Sequence, residues 1–389
     1  MNVWIQNPFD NLPVEGYRKQ RYWLMAEAFV AAGHEVVYWT SDFSHATKAN
    51  RRVRGSEGCP IDLRLVPTRP YRKNVSLARI LSHRGYARAW EREALRLTEC
   101  SRPLARPDLI VTSLPPLSTG EVARRLADHF GAKLVVDVQD AWPETFYRLL
   151  PTGFGWLGKI LLAPLHRAAR RAYRAADLVT GVCDRYEALA KGYGAKRYLR
   201  AYLGVELPSG ALRPASAAKP QDALRLAYVG NMGRGYDLET VVEGVRRLNA
   251  KGVKATLDVA GFGRTVAAES GVRFHGLLDV QAMRELLAGC NLGVIPMAAD
   301  SFVGLPNKLA DYAAAGLRVV SSLAGETERI LAAYDAGRTY LAGDAESFVR
   351  AVEAAAKLPR ENALKLAREE LDAAVIYRTY VEEVCRSVK

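Results

Sequence analysis

The sequence predicts an α/β protein built from two doubly wound parallel sheets in tandem. Strand-like apolar runs alternate with helix-length segments across short loops. The alternation stops once, in the Pro-, Ser- and Ala-rich stretch Leu207 to Gln221 (LPSGALRPASAAKPQ), and then restarts. At 389 residues the chain also exceeds what one hydrophobic core usually organises.

In the first half, Val3 to Gln6 reads as a buried strand, Arg18 to Ala32 as a helix and Glu35 to Thr40 as the next strand. Asp108 to Thr112, the helix Leu117 to Phe130 and the strand Ala132 to Asp137 repeat the pattern. Asp177 to Val182 adds a strand ahead of a helix near Asp184 to Lys191. After the break come the strand Leu224 to Val229, the helix Asp237 to Ala250 and the strands Ala255 to Ala260 and Val272 to His275. The helix Val280 to Leu287 and the strand Asn291 to Pro296 follow, then the helix Lys308 to Ala315 and the strand Leu317 to Ser321. Glu369 to Val388 is helical and amphipathic in pattern, suited to crossing back onto the first domain. The predicted organisation is therefore a first domain over 1–206, a linker over 207–222, a second domain over 223–371 and a C-terminal helix over 372–389. Ligands of such Rossmann-like sheets bind outside the carboxyl ends of the strands, which makes a cleft between the two domains the expected site.

Composition narrows the chemistry. The chain has 55 basic against 42 acidic residues, a net charge of +13 that favours an anionic partner. Nucleic acid is not expected, because no reading module or aromatic stacking platform is recognisable. The five cysteines are scattered and odd in number, which points to buried thiols rather than a disulfide framework. The six histidines show no metal-ligand spacing and no Asp-x-Asp occurs, so no bound metal and no cofactor are expected. No apolar run approaches the roughly 20 residues of a membrane span, and the N-terminus opens directly on a strand pattern. A cytoplasmic location is the expectation.

Ser301 to Ser322 (SFVGLPNKLADYAAAGLRVVSS) carries the clearest chemical signal. A buried strand ends, Val303 to Asn307 breaks the chain, and a helix starts at Lys308 and stops at Gly316. Free backbone N–H groups at such a helix start, with Lys308 beside them, suit a diphosphate. Asp311, one turn on, is placed to reach a sugar hydroxyl pair. The alternative is an ordinary helix with a solvated Lys and Asp.

Several segments, in order, resemble the family-4 retaining glycosyltransferases of GT-B fold, and among them the surface-polysaccharide branch that includes L-fucosamine-transferase-like enzymes. Pro13 to Arg18 followed by AGHEVVYWTS (Ala32 to Ser41) is similar to the family's glycine loop and strand, and VVDVQDAWPE (Val135 to Glu144) to its D-x-W-P-E loop. Ala176 to Val179 followed by Leu203 to Glu206 matches the end of the family's first domain. YVGNMGRGYDLETVVEG (Tyr228 to Gly244) and GLPNKLADYAAAG resemble the phosphate loop and donor grip of its second. The resemblance implies two Rossmann-like domains facing across a cleft, the first for the acceptor and the second for a nucleotide sugar. It places Arg234 and Lys308 on the donor diphosphate, with Gly233 in the phosphate loop. Gly304, Leu305, Pro306 and Asn307 fall on phosphate and sugar, Asp311 on the ribose, and His275 where the nucleobase stacks. Gly16 would let backbone approach the phosphates, and Arg18 would take phosphate or acceptor. A plain turn is the other reading of Gly16, and a satisfied structural histidine the other reading of His275.

Two departures carry information. Many members have a pair of glutamates with seven residues between them; here Val303 and Asp311 stand at those positions, so the sugar contacts differ. Gln139 stands where many members have a histidine near the donor sugar, which removes an obvious base. Asp140 and Glu144 remain as alternatives; Asp140 is a candidate for orienting an acceptor or sugar hydroxyl, or else caps a helix near Trp142 and Pro143.

The expected activity is retaining, metal-independent transfer of a hexosyl group, with an amino sugar among the candidates, from a UDP-linked nucleotide sugar. The expected acceptor is a glycan or a polyprenyl-diphosphate-linked acceptor in bacterial surface polysaccharide synthesis. The rivals are a nucleotide-sugar 2-epimerase, whose acid-base set is not visible here, and a noncatalytic basic scaffold of a polysaccharide-assembly complex. Basic residues from Arg69 to Arg96 interleave with Tyr71, Leu77, Ile80, Leu81, Tyr86 and Trp90. A second basic and apolar stretch runs from Phe154 to Arg174. Both suit an anionic membrane surface at the inner face of the cell membrane; a solvated helix face over a normal core stripe is the alternative.

Overall fold

The computed structural model describes residues 1–389 except 54–57, 75, 102, 150–154, 208–222, 234, 264–270 and 389. The chain divides into two compact units. Unit 1 is Met1–Ala201 with Tyr377–Lys389, and unit 2 is Tyr202–Ile376.

Unit 1 opens with β1 (Asn2–Gln6), α1 (Arg21–Ala31) and β2 (Glu35–Ser41), then a short hairpin, β3 (Phe43–Ser44) and β4 (Ala49–Asn50). β5 (Ile61–Val66), α2 (Leu77–Thr98), β6 (Leu109–Leu114), α3 (Leu117–Phe130) and β7 (Lys133–Val138) follow. The unit continues with α4 (Gly155–Leu161), α5 (Ala163–Ala175), β8 (Leu178–Gly181), α6 (Asp184–Tyr193) and β9 (Tyr198–Arg200). Seven strands form one parallel sheet in the order β5-β2-β1-β6-β7-β8-β9. The order reverses at β1, and right-handed crossovers on either side of it put helices on both faces. That is why β6 is buried along its whole length and reads as a nearly continuous apolar run. Trp4 and Trp39 pack edge to face with ring centroids 5.3 Å apart, and Trp4 meets Phe130 at the end of α3 in the same way. α3 turns Leu117, Val122 and Leu126 inward and ends at Gly131, whose φ of +69° closes the last turn.

The sequence missed β5, and α1 begins three residues later than expected, after a single helical turn at Pro13–Glu15. In α2 the expected basic-aromatic face splits in two. Tyr86 and Trp90 are buried with His83 and Ala94 on one stripe, while Leu77, Ile80, Leu81, Arg84 and Arg88 are exposed. The aromatic part of that pattern belongs to the core.

Unit 2 contains β10 (Ala223–Val229), α7 (Leu238–Ala250), β11 (Lys254–Ala260), β12 (Val272–Gly276), α8 (Val280–Ala288) and β13 (Leu292–Ile295). α9 (Lys308–Ala314), β14 (Arg318–Ser321), α10 (Glu326–Ala333), β15 (Gly337–Thr339), α11 (Ala345–Ala355) and α12 (Arg360–Glu370) complete it. Its six-stranded parallel sheet has the same reversed order, β12-β11-β10-β13-β14-β15. The core gathers Leu226, Tyr228, Val241, Val245, Leu257, Val294, Phe348 and Val352. Residues 202–206 belong to this unit: Val205 bridges Asp372, and a Cβ on Gly204 would stand 2.6 Å from Ala373 Cα. The expected linker lies, apart from Leu207, outside the described residues.

The last helix, α13 (Ala373–Val388), contributes Tyr377 onward to unit 1. There Tyr377 lies under the Arg21 guanidinium at 5.9 Å and Tyr380 meets Phe29 edge to face. Arg21 donates from Nε and Nη2 to the two oxygens of Asp137, each at 2.8 Å, and Nη1 donates to the Ala201 carbonyl. Thr180 and Tyr22 donate to the same carboxylate. Burial pushes the Asp137 carboxyl upward, but the Arg21 charge and these hydrogen bonds outweigh it and hold the group below the usual range.

Candidate active site

The unit 2 site is built on the loop after β10 and the start of α9. Tyr312, one turn into α9, accepts from the Val229 N–H at 3.0 Å, and its ring fills the space that a side chain at Gly293 would take. Leu309, Ala310 and Ala313 are buried on the same face. The packing therefore fixes where Lys308 emerges. Its ammonium lies 4.3 Å from the centre of the Tyr236 ring and 5.2 Å from that of Tyr228. Burial draws the Lys308 pKa down to about 8, with the charge of Asp311 opposing.

The loops beside Lys308 are pressed together. A Cβ on Gly230, whose φ is +140°, would come within 2.7 Å of Lys308 Nζ. A Cβ on Gly261 would fall 1.8 Å from the Gly230 carbonyl oxygen. Gly230 N–H donates to Ala260, Met232 N–H to Phe262 and Gly261 N–H to Gly276. The Gly261 to Gly263 turn is a backbone layer under the β10 loop. Gly233 lies in that loop, its carbonyl accepting from Tyr236 N–H at 3.0 Å.

Gly304 accepts from the Thr327 hydroxyl at 2.7 Å, Leu305 is buried and Asn307 is exposed at the head of α9. Pro306 and Asn307 carbonyls close the first turns of that helix, whose seven residues end before Gly316 at φ +66°. Asp311 is half-buried one turn beyond Lys308. Arg234 lies outside the described residues. His275 is engaged through one ring nitrogen: Nε2 donates to Asp258 Oδ1 at 2.8 Å, and Arg225 donates to the other oxygen at 3.0 Å. Asp258 is buried in β11. A carboxylate only accepts, so Nε2 carries a proton in this contact.

In unit 1 the predicted residues stand at the carboxyl ends of the strands. Gly16 follows β1, is exposed, has φ +84° and has no heavy atom within 4 Å of a built Cβ. Its conformation, not crowding within this unit, calls for glycine. Arg18 is exposed two residues on. Gln139 and Asp140 follow β7; Gln139 N–H donates to Leu114, and the Asp140 carbonyl accepts from Trp142 N–H. The helical turn after them starts at Glu144. Asp140 leaves part of its surface open to solvent, while protein packed around the carboxyl pushes its pKa up, with the Arg79 charge opposing. The sequence reading overlooked Tyr228 and Tyr236, which hold Lys308, and Asp258, which holds His275. Tyr236 sits in the GRGYDLET stretch, the one signal that marked it.

Residues 19–204 match the family model described as a glycosyl transferase 4-like domain, and residues 223–357 that of glycosyl transferases group 1. A search of curated proteins returned no match. Among solved structures, the chain is similar to sucrose-phosphate synthase from Thermosynechococcus elongatus at 14% identity and a TM-score of 0.69, covering 99% of this chain and 98% of that one. It is similar to the catalytic domain of starch synthase IV from Arabidopsis thaliana bound to ADP and acarbose, at 12% identity and a TM-score of 0.67, covering 100% and 99%. Anabaena HepE in complex with UDP-glucose aligns at 13% identity and a TM-score of 0.63, covering 99% and 100%. With both halves matched in order, two reversed parallel sheets and whole-length likeness to those structures, this chain belongs to the GT-B glycosyltransferases.

Proposed function

We propose that the protein transfers a hexosyl group, with an amino sugar among the candidates, from a UDP-linked nucleotide sugar with retention and without a metal ion. The observation that carries this reading is the desolvated Lys308 ammonium in its tyrosine cage at the carboxyl end of β10. A cation whose hydration is already reduced gains more when a diphosphate arrives, and more again as negative charge builds on that diphosphate during bond breaking. Lys308 and Arg234 would hold the leaving diphosphate and Asp311 the ribose hydroxyls. The C1–O bond to phosphate breaks, the acceptor oxygen bonds C1 on the same face, and the departing phosphate takes the acceptor proton. That route needs no histidine at Gln139; Asp140 is assigned to orient a hydroxyl.

The acceptor is a glycan or polyprenyl-diphosphate-linked acceptor of bacterial surface polysaccharide, reached at the anionic inner face of the cell membrane. Exposed Leu77, Leu81, Trp156 and Ile160 beside exposed arginines support the membrane part of this reading. No helix among the described residues is long and apolar enough to cross a membrane. The test is a thermal-shift panel of nucleotide sugars with and without EDTA, followed by product analysis. Stabilisation by a UDP-sugar in EDTA and an α-linked product from an α-linked donor are expected. No shift with any nucleoside diphosphate sinks the transferase reading, and sugar interconversion without acceptor replaces it with an epimerase.

A further inference from the structure

Unit 1 holds a second cluster of cations and rings that no role above uses. Its sheet reverses order beside β1 and β6, and Pro8 and Phe9 after β1 and Pro116 after β6 line a narrow recess there. His45, Tyr71 and His83 complete the wall. The floor has room for little more than a water molecule, so a ligand lies across the mouth. Arg79 and Lys48 cover the recess's aromatic residues. The Arg79 guanidinium is 5.6 Å from the Phe9 ring centre, 5.9 Å from Tyr71 and 5.2 Å from Trp142. Lys48 Nζ lies 4.8 Å from the Tyr71 ring centre.

Both cations hang on Asn74: Lys48 donates to its side-chain oxygen at 2.7 Å and Arg79 to its carbonyl at 2.8 Å. Neither has a carboxylate partner among the described residues; their remaining hydrogen bonds go to His45 and His83. Two positive charges held side by side with no ion-paired carboxylate among the described residues cost free energy in this fold, the Asp140 charge acting on Arg79 only from a distance. Lys48 adds backbone strain, with φ at +57° at the tip of the β3–β4 hairpin, a conformation a non-glycine residue keeps only where its surroundings impose it. The histidines respond to the same field. Burial, with Lys48 and Arg79, takes His45 to about 4, and burial, with Arg79 and His45, takes His83 to about 3. Both rings are neutral at physiological pH and add no further positive charge; His45 Nδ1 is engaged by Tyr71 and Lys48, and His83 Nε2 by Arg79.

We infer that Arg79 and Lys48 bind the phosphate of a phosphorylated sugar or prenyl diphosphate at the switch point of the unit 1 sheet, with Phe9, Tyr71 and Trp142 against its apolar or sugar-ring face. Two cations match a doubly charged phosphate better than a single carboxylate, and aromatic faces suit sugar C–H edges or a prenyl chain. Binding rests on unit 1 alone; that this phosphate belongs to the acceptor rests on the function proposed above.

The test is titration calorimetry of the full-length protein with glucose 1-phosphate and, separately, with geranyl diphosphate. At least one probe binds, and Arg79→Gln and Lys48→Gln each weaken it about 10-fold or more. Lys308→Ala leaves that affinity within about twofold, which separates this site from the donor site. Tighter binding of geranyl diphosphate assigns a lipid headgroup, and tighter binding of glucose 1-phosphate a free phosphosugar. Lys48 is on a hairpin tip and Arg79 is half-buried, so thermal melts confirm that both variants fold. No binding of either probe, or unchanged binding in both folded variants, overturns the assignment, whatever the donor panel shows.

Discussion

The Lys308 ammonium sits 4.3 Å above the Tyr236 ring, and the ring keeps the charge in place while burial works against it. With its pKa drawn to about 8, Lys308 is protonated below that value and loses its charge above it. Since kcat/KM reports the free enzyme, it is expected to fall with one proton as pH rises through about 8. Once a diphosphate is bound, its negative charge favours the protonated amine, so kcat declines only at higher pH. Lys308→Ala is expected to lower turnover at least ~100-fold and remove that limb of the profile. An unchanged rate rejects Lys308 as the group that stabilises the leaving diphosphate.

Gly230 separates geometry from charge. A side chain there would stand 2.7 Å from Lys308 Nζ, the end of a flexible chain that gives way. Gly230→Ala, at a φ of +140°, is expected to lower the melting temperature modestly through backbone strain while displacing Lys308 and weakening the nucleotide-sugar thermal shift, with Gly261→Ala losing more. Gly261→Ala meets the Gly230 carbonyl at 1.8 Å, and backbone has nowhere to go. That variant is expected to lower the melting temperature of the protein itself. Equal melting temperatures for the two variants would refute the layered-loop account.

Much of this was legible in the sequence, for particular reasons. Buried parallel strands such as LIVTSL are apolar on both faces, and Gly131 and Gly316 end α3 and α9 because each takes a positive φ. The Lys308 segment announced itself as a loop, a cation and a helix in a row. Its tyrosine cage did not, because Tyr228 and Tyr236 reach Lys308 only after β10 and α9 have been set side by side through Tyr312. The Lys48 and Arg79 cluster was hidden similarly: one residue is on a hairpin, the other on α2, and Asn74 joins them. Tyr86 and Trp90 misled, since alternation with arginine looks alike whether the rings face lipid or, as here, the core.

The Arg21–Asp137 pair is buried at 1% and 0% side-chain exposure and holds α1, β7 and, through Tyr377, the last helix in unit 1. Removing one partner strands the other without solvent. Asp137→Ala is expected to cost roughly 3–5 kcal/mol in urea unfolding, whereas replacing both with apolar residues of similar volume costs much less. A single-variant loss under ~1 kcal/mol would show that water reaches the pair.

Membrane attachment is the part of the reading furthest from the donor site, and it divides into charge and apolar contributions. Arg84, Arg88 and Arg92 are exposed on α2, and each basic residue near an anionic surface contributes about 1 kcal/mol. Replacing all three with Gln is expected to weaken sedimentation with phosphatidylglycerol vesicles by roughly 100-fold at low salt, and by less as salt screens the surface. Trp156 and Ile160, 63% and 62% exposed on α4, act by burial instead. Trp156→Ser with Ile160→Ser should weaken the same binding with little salt dependence. Undiminished binding of the arginine variant rejects α2 as the membrane face, and undiminished binding of the α4 variant rejects insertion. If both variants bind like the parent, the exposed apolar residues of unit 1 serve another contact and the acceptor is met in solution.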